Sequence, residues 1–547
     1  MRLARFAPGV LAILTFAAPA ARADVLGRAL RLVDAPGAGA ASPAPAPTPP
    51  SSSAPPPEQV PDLSAWAGES RATSLPELLK TAINQAPALA NARIDIAIAE
   101  AQIQQTWARN DYLVRAQLQG QRAVQPGRGT VTDVNASVDL TRMLPSGGTF
   151  GLHVDSIYGN IADSPFGDIE NGTTWISDVT ATINQPLLRN RGSRIFDANE
   201  AKASLTRDVD VLARRLAAIQ TVQNVISAYW DLVLAERQIG ITQASLDLAR
   251  ERLRVTTIGT DGGKTARSEI PAVLQIIATR EEDVLNGELA VLNASIALRR
   301  AAGMQIGGGE LGLRIPTDLD AREQALDLAG LTERAYAASP ELAELAKQDA
   351  SAQIDLAVTE NDLLPQLDAA LSIGPTGSSP NADKLAGLPR GAPFPSGSFQ
   401  GAWKDLVELN AVTVVGSLTF TQSIGRNDVY GKQKQFREQR RKLVVNAFDL
   451  RANIAQTMAR GVAQIELAKR RVALSQQAID LANQNIKIET DRFNLGRSTN
   501  FDVLNRLEDL RQAELRKAQA LVDWHKAEVV VQALTGDILP MYGIAVQ

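Results

Sequence analysis

Ten residues recur at one constant offset, and this constrains the fold more than any other feature of the sequence. Leu75, Leu78, Ala82, Pro87, Leu89, Ala90, Ala97, Ala99, Thr106 and Leu118 return as Leu328, Leu331, Ala335, Pro340, Leu342, Ala343, Ala350, Ala352, Thr359 and Leu371, each 253 positions later. A second block repeats with another offset: Gly263 to Gly303 and Gly496 to Gly536 each span forty positions and carry an acid at the same place, Glu269 and Asp502. The chain is therefore two tandem halves of one design.

Each half opens with a short helical pattern and a longer one, ending near Asn110 and Asp362, and then switches from helical periodicity to alternation. Residues 116–124, 131–140, 149–158 and 175–183 in the first half, and 366–373 and 412–420 in the second, read as strands, with Pro145-Ser146-Gly147-Gly148 as a tight turn. These strands are few, and their edges cannot all be paired within one chain; closure with other copies would solve that. Helical pattern then runs through 198–255, 269–302, 433–493 and 502–534. Leu205, Leu212, Ile219, Ile226 and Val233 fall seven apart, as do Ile465, Val472, Ile479, Ile486 and Phe493, so coiled-coil packing is expected. A helix of roughly sixty residues spans about 90 Å, the scale of a periplasmic compartment rather than of an active-site scaffold.

Composition narrows the chemistry. A 45% hydrophobic content excludes wholesale disorder, and 56 basic against 60 acidic residues leave a net charge of -4 that argues for no nucleic-acid partner. Zero cysteines and two histidines exclude disulfides and thiolate sites and argue against multi-histidine metal centres, so no cofactor and no metal are expected. The segment Gly259 to Thr265 looks like a phosphate-cradling loop, but Ile258 stands where the motif needs glycine and helical pattern flanks both sides. No Gly-x-Ser-x-Gly is present, and His153 and His525 stand alone; no enzymatic role is expected. Asn171-Gly172-Thr173 reads as a polar loop tip, and 437–442 as a solvated helix face. Trp175, Phe150, Tyr158 and Tyr112 fit either an interfacial aromatic girdle or ordinary strand packing.

Arg2 and Arg5 precede an apolar stretch, 6–18, and Ala21-Arg22-Ala23 has the small-x-small pattern of a signal-peptidase site, so residues 1–23 read as a secretory signal and the mature chain is expected to begin near Asp24. Residues 24–73 form an N-terminal segment rich in Ala, Pro and Ser from Ala35 to Pro61, a spacer composition. The first repeat occupies 74–304, a linker 305–327, the second repeat 328–536 and a tail 537–547, with strands within about 112–188 and 365–424.

These residues resemble one family, the TolC-type outer-membrane efflux and secretion ducts. Leu75-Pro76-Glu77-Leu78-Leu79 through Ala86-Pro87-Ala88-Leu89 is similar to its opening helical motif, with Ala338-Ser339-Pro340-Glu341-Leu342 as the second copy. Ile183-Asn184-Gln185-Pro186-Leu187-Leu188-Arg189 is similar to its strand-to-helix junction, and Phe493 to Thr499 followed by Phe501-Asp502-Val503-Leu504 to its hairpin tip. The resemblance implies a mixed α/β membrane protein: a homotrimer whose protomers share one outer-membrane β-barrel, continuous with a long periplasmic α-helical coiled-coil barrel. It implies a passive export conduit for small molecules or polypeptides, embedded in outer-membrane lipid and engaged by a periplasmic adaptor and an inner-membrane pump of the RND or ABC type. It further implies adaptor docking at Leu495, Gly496, Arg497 and Ser498, with Gly263 and Lys264 as counterpart, and a gate at Asp502 and Glu269.

Three departures qualify the match. The first tip is longer than the family pattern, Asn505 stands where some members carry a further gating aspartate, and Phe493 replaces a tyrosine whose hydroxyl can link helices. The hairpin 131–158 either enlarges an extracellular rim or adds strands to the barrel. A soluble periplasmic coiled-coil tether is the rival class; it explains the long helices and the export signal but not the alternating strands. An exported nucleotide-dependent enzyme would rest on the near-miss glycine loop alone.

Overall fold

A computed structural model describes residues 71–72, 74–126, 129–164, 171–263, 266–306, 313–314 and 326–544, all within the unit Pro61–Gln547. The expected signal sequence and spacer, most of the 305–327 linker, and Lys264 lie outside the described residues. The first half runs α1 (Leu75–Gln85), α2 (Pro87–Thr106), β1 (Leu113–Gln125), β2 (Gly129–Met143), β3 (Thr149–Ala162), β4 (Gly172–Pro186), α3 (Ala198–Asp261) and α4 (Glu269–Ala301). The second runs α5 (Leu328–Ala338), α6 (Pro340–Asp362), β5 (Gln366–Ser379), α7 (Phe399–Val407), β6 (Val412–Thr421), α8 (Asn427–Asn494) and α9 (Asn500–Thr535).

The repeat is visible in the backbone. Proline at the first position of α2 and of α6 forces the residue before it, Ala86 or Ser339, into extended conformation, which ends the preceding helix one residue earlier in both halves. Gly303 (φ 69°) and Gly536 (φ 75°) follow the last long helix of their halves in left-handed conformation. A Cβ on Gly303 would lie 2.8 Å from Gln85 O, and one on Gly536 would lie 3.0 Å from Ala338 Cβ. Gln85 and Ala338 are themselves 253 positions apart, so both glycines seat the same helix junction.

The two halves differ in their strands. The offset falls from 253 to 233 between the blocks because the hairpin β2–β3 has no counterpart in the second half, where the segment carrying α7 stands instead. All six long strands form one antiparallel sheet in the order β1-β2-β3-β4-β5-β6. Left-handed residues turn strand into helix at both exits, Asn190 (φ 64°) and Gly192 (φ 96°) ahead of α3, Gly425 (φ 97°) and Arg426 (φ 46°) ahead of α8. Arg189 Nε donates to Asp362 Oδ1 at 3.1 Å and Arg426 to Leu363 O, which ties each exit to the end of α6.

Packing follows the heptads. Leu78, Leu79, Val222, Ile226, Val233 and Leu298 are buried in a core shared by α1, α3 and α4. Met458, Ile465, Trp524 and Val531 build a second core between α8 and α9, and Val273, Ile277, Leu246 and Leu504 a third between α3, α4 and α9. The stretch 437–442 is only partly a solvated face: Arg441 pairs with Glu438 on its own helix, but Arg440 clamps Asp349 of α6 through Nε at 2.7 Å and Nη2 at 3.1 Å. Gly259 to Asp261 continue α3, which is incompatible with a strand-led phosphate loop.

Candidate functional site

Two regions carry the candidate function: the sheet and the helix tips. Strand register sorts the sheet's side chains into two faces. Val114, Leu140, Leu152, Ala181, Ile373 and Val414 lie in one row across the six strands, and Leu118, Val138, Val154, Leu371, Leu418 and Phe420 lie on the same side. The opposite side carries Arg115, Gln117, Asn135, Ser137, Asp139, His153, Asp178, Thr180, Ser372 and Thr419. Polar contacts run across that face: His153 Nδ1 to Asp139 Oδ1 at 2.6 Å, and Thr376 Oγ1 donating to Asp178 Oδ2 at 2.7 Å.

The apolar face is open over much of its area, with Leu118 at 76% and Val124 at 79% exposed. A contiguous apolar surface of this kind is unfavourable in water and favourable against lipid. Aromatic residues stand at both of its ends. Tyr158, Trp175, Phe399 and Trp403 follow one another with ring centroids 5.0, 5.3 and 6.0 Å apart at the end remote from the helices. Phe150 and Phe420 stand at the helix end with Tyr112, whose ring lies under the Arg142 guanidinium at 4.7 Å. Phe150 and Tyr158 are eight residues apart on β3, about 27 Å along an antiparallel strand. The helix α7 rests on the apolar face at its far end because Gly377 has no side chain; a Cβ there would meet Ala402 O at 2.1 Å. Among the described residues no helix is long and apolar enough to cross a membrane, which says nothing of strands.

The tips lie at the opposite end of the long helices. Residues 262–268 join α3 to α4, and 495–499 join α8 to α9. Leu495 is 72% exposed, Gly496 and Arg497 are exposed and Ser498 is half-buried. Gly263 (φ 73°) and Gly496 (φ 69°) both take the left-handed conformation with nothing near a hypothetical Cβ, so each turn needs glycine for its backbone while the surface around it stays free. Ser498 donates to Glu489 of α8, which folds the second tip back on its own helix.

Asp502 and Glu269 occupy different helical positions. Asp502 is the third residue of α9 and completes a capping box: its carboxylate accepts from Thr499 N at 3.1 Å and Thr499 Oγ1 at 2.7 Å, while Asp502 N donates to Thr499 Oγ1 at 3.3 Å. The Thr499 hydroxyl and backbone N–H, with Ser498, hold its pKa below the usual carboxylate value. Glu269 is the first residue of α4, and its Oε2 accepts from Asn500 Nδ2 at 2.6 Å.

The sequence reading missed the residues that join the two hairpins. Asn500, 2% exposed, also donates through Nδ2 to Thr256 Oγ1 at 2.9 Å. The Arg252 guanidinium lies 4.2 Å above the Phe493 ring, and Arg280 of α4 pairs with Glu508 of α9. Burial pulls the Arg252 pKa down and Glu269 opposes it. His525 stacks on Trp230 at 4.1 Å, and the expected loop tip Asn171-Gly172-Thr173 is instead the start of a strand: Gly172 and Thr173 open β4, paired to β3, while Asn171 Oδ1 accepts from Ser164 N at 2.9 Å.

No family model and no curated protein matches this sequence. Solved structures do share its fold. It is similar to the outer-membrane channel OprN (14% identity, TM-score 0.60, covering 86% of this chain and 94% of that one). It is similar to the outer membrane protein VceC of Vibrio cholerae (13%, 0.59, 84% and 96%) and to the open-state MtrE outer membrane channel of Neisseria gonorrhoeae (14%, 0.59, 84% and 88%). The chain shares the fold of these outer-membrane proteins over most of its length.

Proposed function

We propose that the protein is the outer-membrane component of an export system, a passive conduit in which three copies share one β-barrel and extend a helical duct through the periplasm. The observation that carries this reading is the sheet with one open apolar face between two aromatic bands and one polar face. Lipid on the first and water on the second satisfy both without leaving buried polar groups. Strands β1 to β4, of 13 to 15 residues, exceed the 9–11 or so that a tilted strand needs to cross the membrane.

The helices supply the rest of the path. The 64 residues of α3 and the 68 of α8 reach about 95–100 Å at 1.5 Å per residue. Their exposed glycine turns suit docking of a periplasmic adaptor that links the conduit to an inner-membrane pump, of RND or ABC type, which provides the energy. Leu495, Gly496, Arg497 and Ser498 form the principal docking tip, with Gly263 and Lys264 as the counterpart. Asp502 and Glu269 stand next to these turns, where carboxylates from three copies would gather at a constriction as a gate. The fold relatives are channels and no step of catalysis is invoked. Fractionation tests the assignment: the protein should leave the outer-membrane fraction only in detergent, as a species of three chains. Release without detergent as a monomer would return the soluble tether to favour.

A further inference from the structure

We propose that all six strands stand in the barrel wall and that each seam pairs β6 of one copy with β1 of the next, so that three copies close a barrel of eighteen strands. This rests on the outer-membrane reading above and assigns what that reading leaves open, the role of the hairpin β2–β3 and the surface by which copies join.

The hairpin belongs to the wall by register and by chemistry. β2 is paired along its length to β1 on one side and to β3 on the other, and β3 in turn to β4, so taking the hairpin out of the wall would strip both neighbours of their ladders. It also continues the two-faced pattern. Val138, Leu140, Leu152 and Val154 extend the apolar side, and Ser137 and His153 extend the polar one. A hairpin standing in water above the membrane has no use for an apolar outer face.

The seam follows from the two free edges. Consecutive antiparallel pairings make β1 and β6 run in opposite senses, so β6 of one copy can meet β1 of the next as an ordinary antiparallel pair. Both edges alternate in step, with Val114 and Leu118 on the apolar side of one and Val414 and Leu418 on that of the other. β6, Val412–Thr421, carries none of the devices that protect a strand left in solution, having no charged residue and no proline; β1, Leu113–Gln125, has no proline, and its charges are Arg115 and Arg122. Because the joining surfaces are two different edges of one chain, the contact is head-to-tail, and it closes as a ring rather than as a two-fold pair. Barrels of about 16–18 strands hold a water-filled lumen.

Single cysteines in the full-length, cysteine-free chain test the wall. A fluorescent label at Val138→Cys or Val154→Cys, in phosphatidylcholine vesicles containing nitroxide-labelled lipid, should be quenched as strongly as one at Leu371→Cys or Leu418→Cys, while Ser137→Cys should not be. Lipid quenching at Leu371 and Leu418 without quenching at Val138 and Val154 would overturn the proposal and leave the barrel standing; no quenching at any of the four would overturn the barrel itself. Electron cryomicroscopy of the detergent-purified oligomer counts the strands directly. Eighteen, with β1 beside a neighbour's β6, is the expected result; twelve, with the hairpin outside the wall, or any other seam, would refute it.

Discussion

Asn500 Nδ2 donates to Glu269 Oε2 at 2.6 Å, across 231 positions of sequence, and ties the first turn of α9 to the first turn of α4. The same amide reaches Thr256 on α3, so one side chain holds both helices of the other hairpin beside the tips. Asn500→Ala should remove both bonds and strand a carboxylate and a hydroxyl, a local loss of about 1–3 kcal/mol. The expected outcome is faster amide exchange at residues 256–269 with the cores of α3 and α8 unchanged, and a higher open probability in bilayers. Unaltered exchange and gating would show that the tie restrains nothing.

Asp502 serves its own helix whatever else it does, so Asp502→Ala confounds loss of charge with loss of the capping box. Asp502→Asn keeps an acceptor for Thr499 N and removes the charge. In planar bilayers, multivalent cations added from the periplasmic side should block the wild-type pore. If the carboxylates ring the constriction, Asp502→Asn should weaken that block at least tenfold; equal block in the variant would assign the residue to the cap alone.

The cap has a pH signature with a definite sign. Folding lowers the Asp502 pKa from its ordinary 3.8, so its contribution is complete above that value and is lost as pH falls through the lower, folded value. The Thr499 to Val503 amides should therefore keep their exchange protection from neutral pH down to about pH 5 and lose it only in stronger acid. Loss between pH 7 and 5 would contradict the capping geometry.

Gly496 combines a left-handed backbone with open space around its Cα. Gly496→Trp should leave the oligomer in the outer membrane but reduce export at least tenfold, by straining the left-handed turn and by blocking close approach of the adaptor. Gly263→Trp should do the same more weakly. Full export in Gly496→Trp would remove this tip from the docking surface.

Val138 and Ser137 are adjacent on β2 and face opposite ways. Val138→Arg should destabilise the inserted protein by about 2–4 kcal/mol, the cost of a cation on the lipid face near mid-membrane, whereas Ser137→Arg should cost under about 1 kcal/mol. Chemical denaturation from vesicles measures the difference, and equal costs would mean that the two faces are not distinguished by lipid.

Much of this was legible in the sequence because its signals are periodic. Alternation located the centres of all six strands, and the repeat located both helix pairs and the four glycines that end or turn the long helices. The strand ends were not legible where composition and packing disagree. Alternation ends β5 at Ile373, ahead of a stretch rich in glycine and proline, yet the strand continues to Ser379, with Gly377 required by the approach of α7. The helix α7 itself was hidden, since nine residues among glycines and prolines give too short a pattern. Asn500 was missed for a different reason: the repeat places Arg267 opposite it, so the tie belongs to one half only and depends on a contact between distant segments.

Conductance tests the central claim most directly. The purified full-length protein, added in detergent to a planar lipid bilayer, should insert and produce discrete, long-lived steps of ionic current from a water-filled pore. Stable association with the bilayer without any current steps, or recovery of all the protein in solution, would contradict the account of this chain as a membrane conduit.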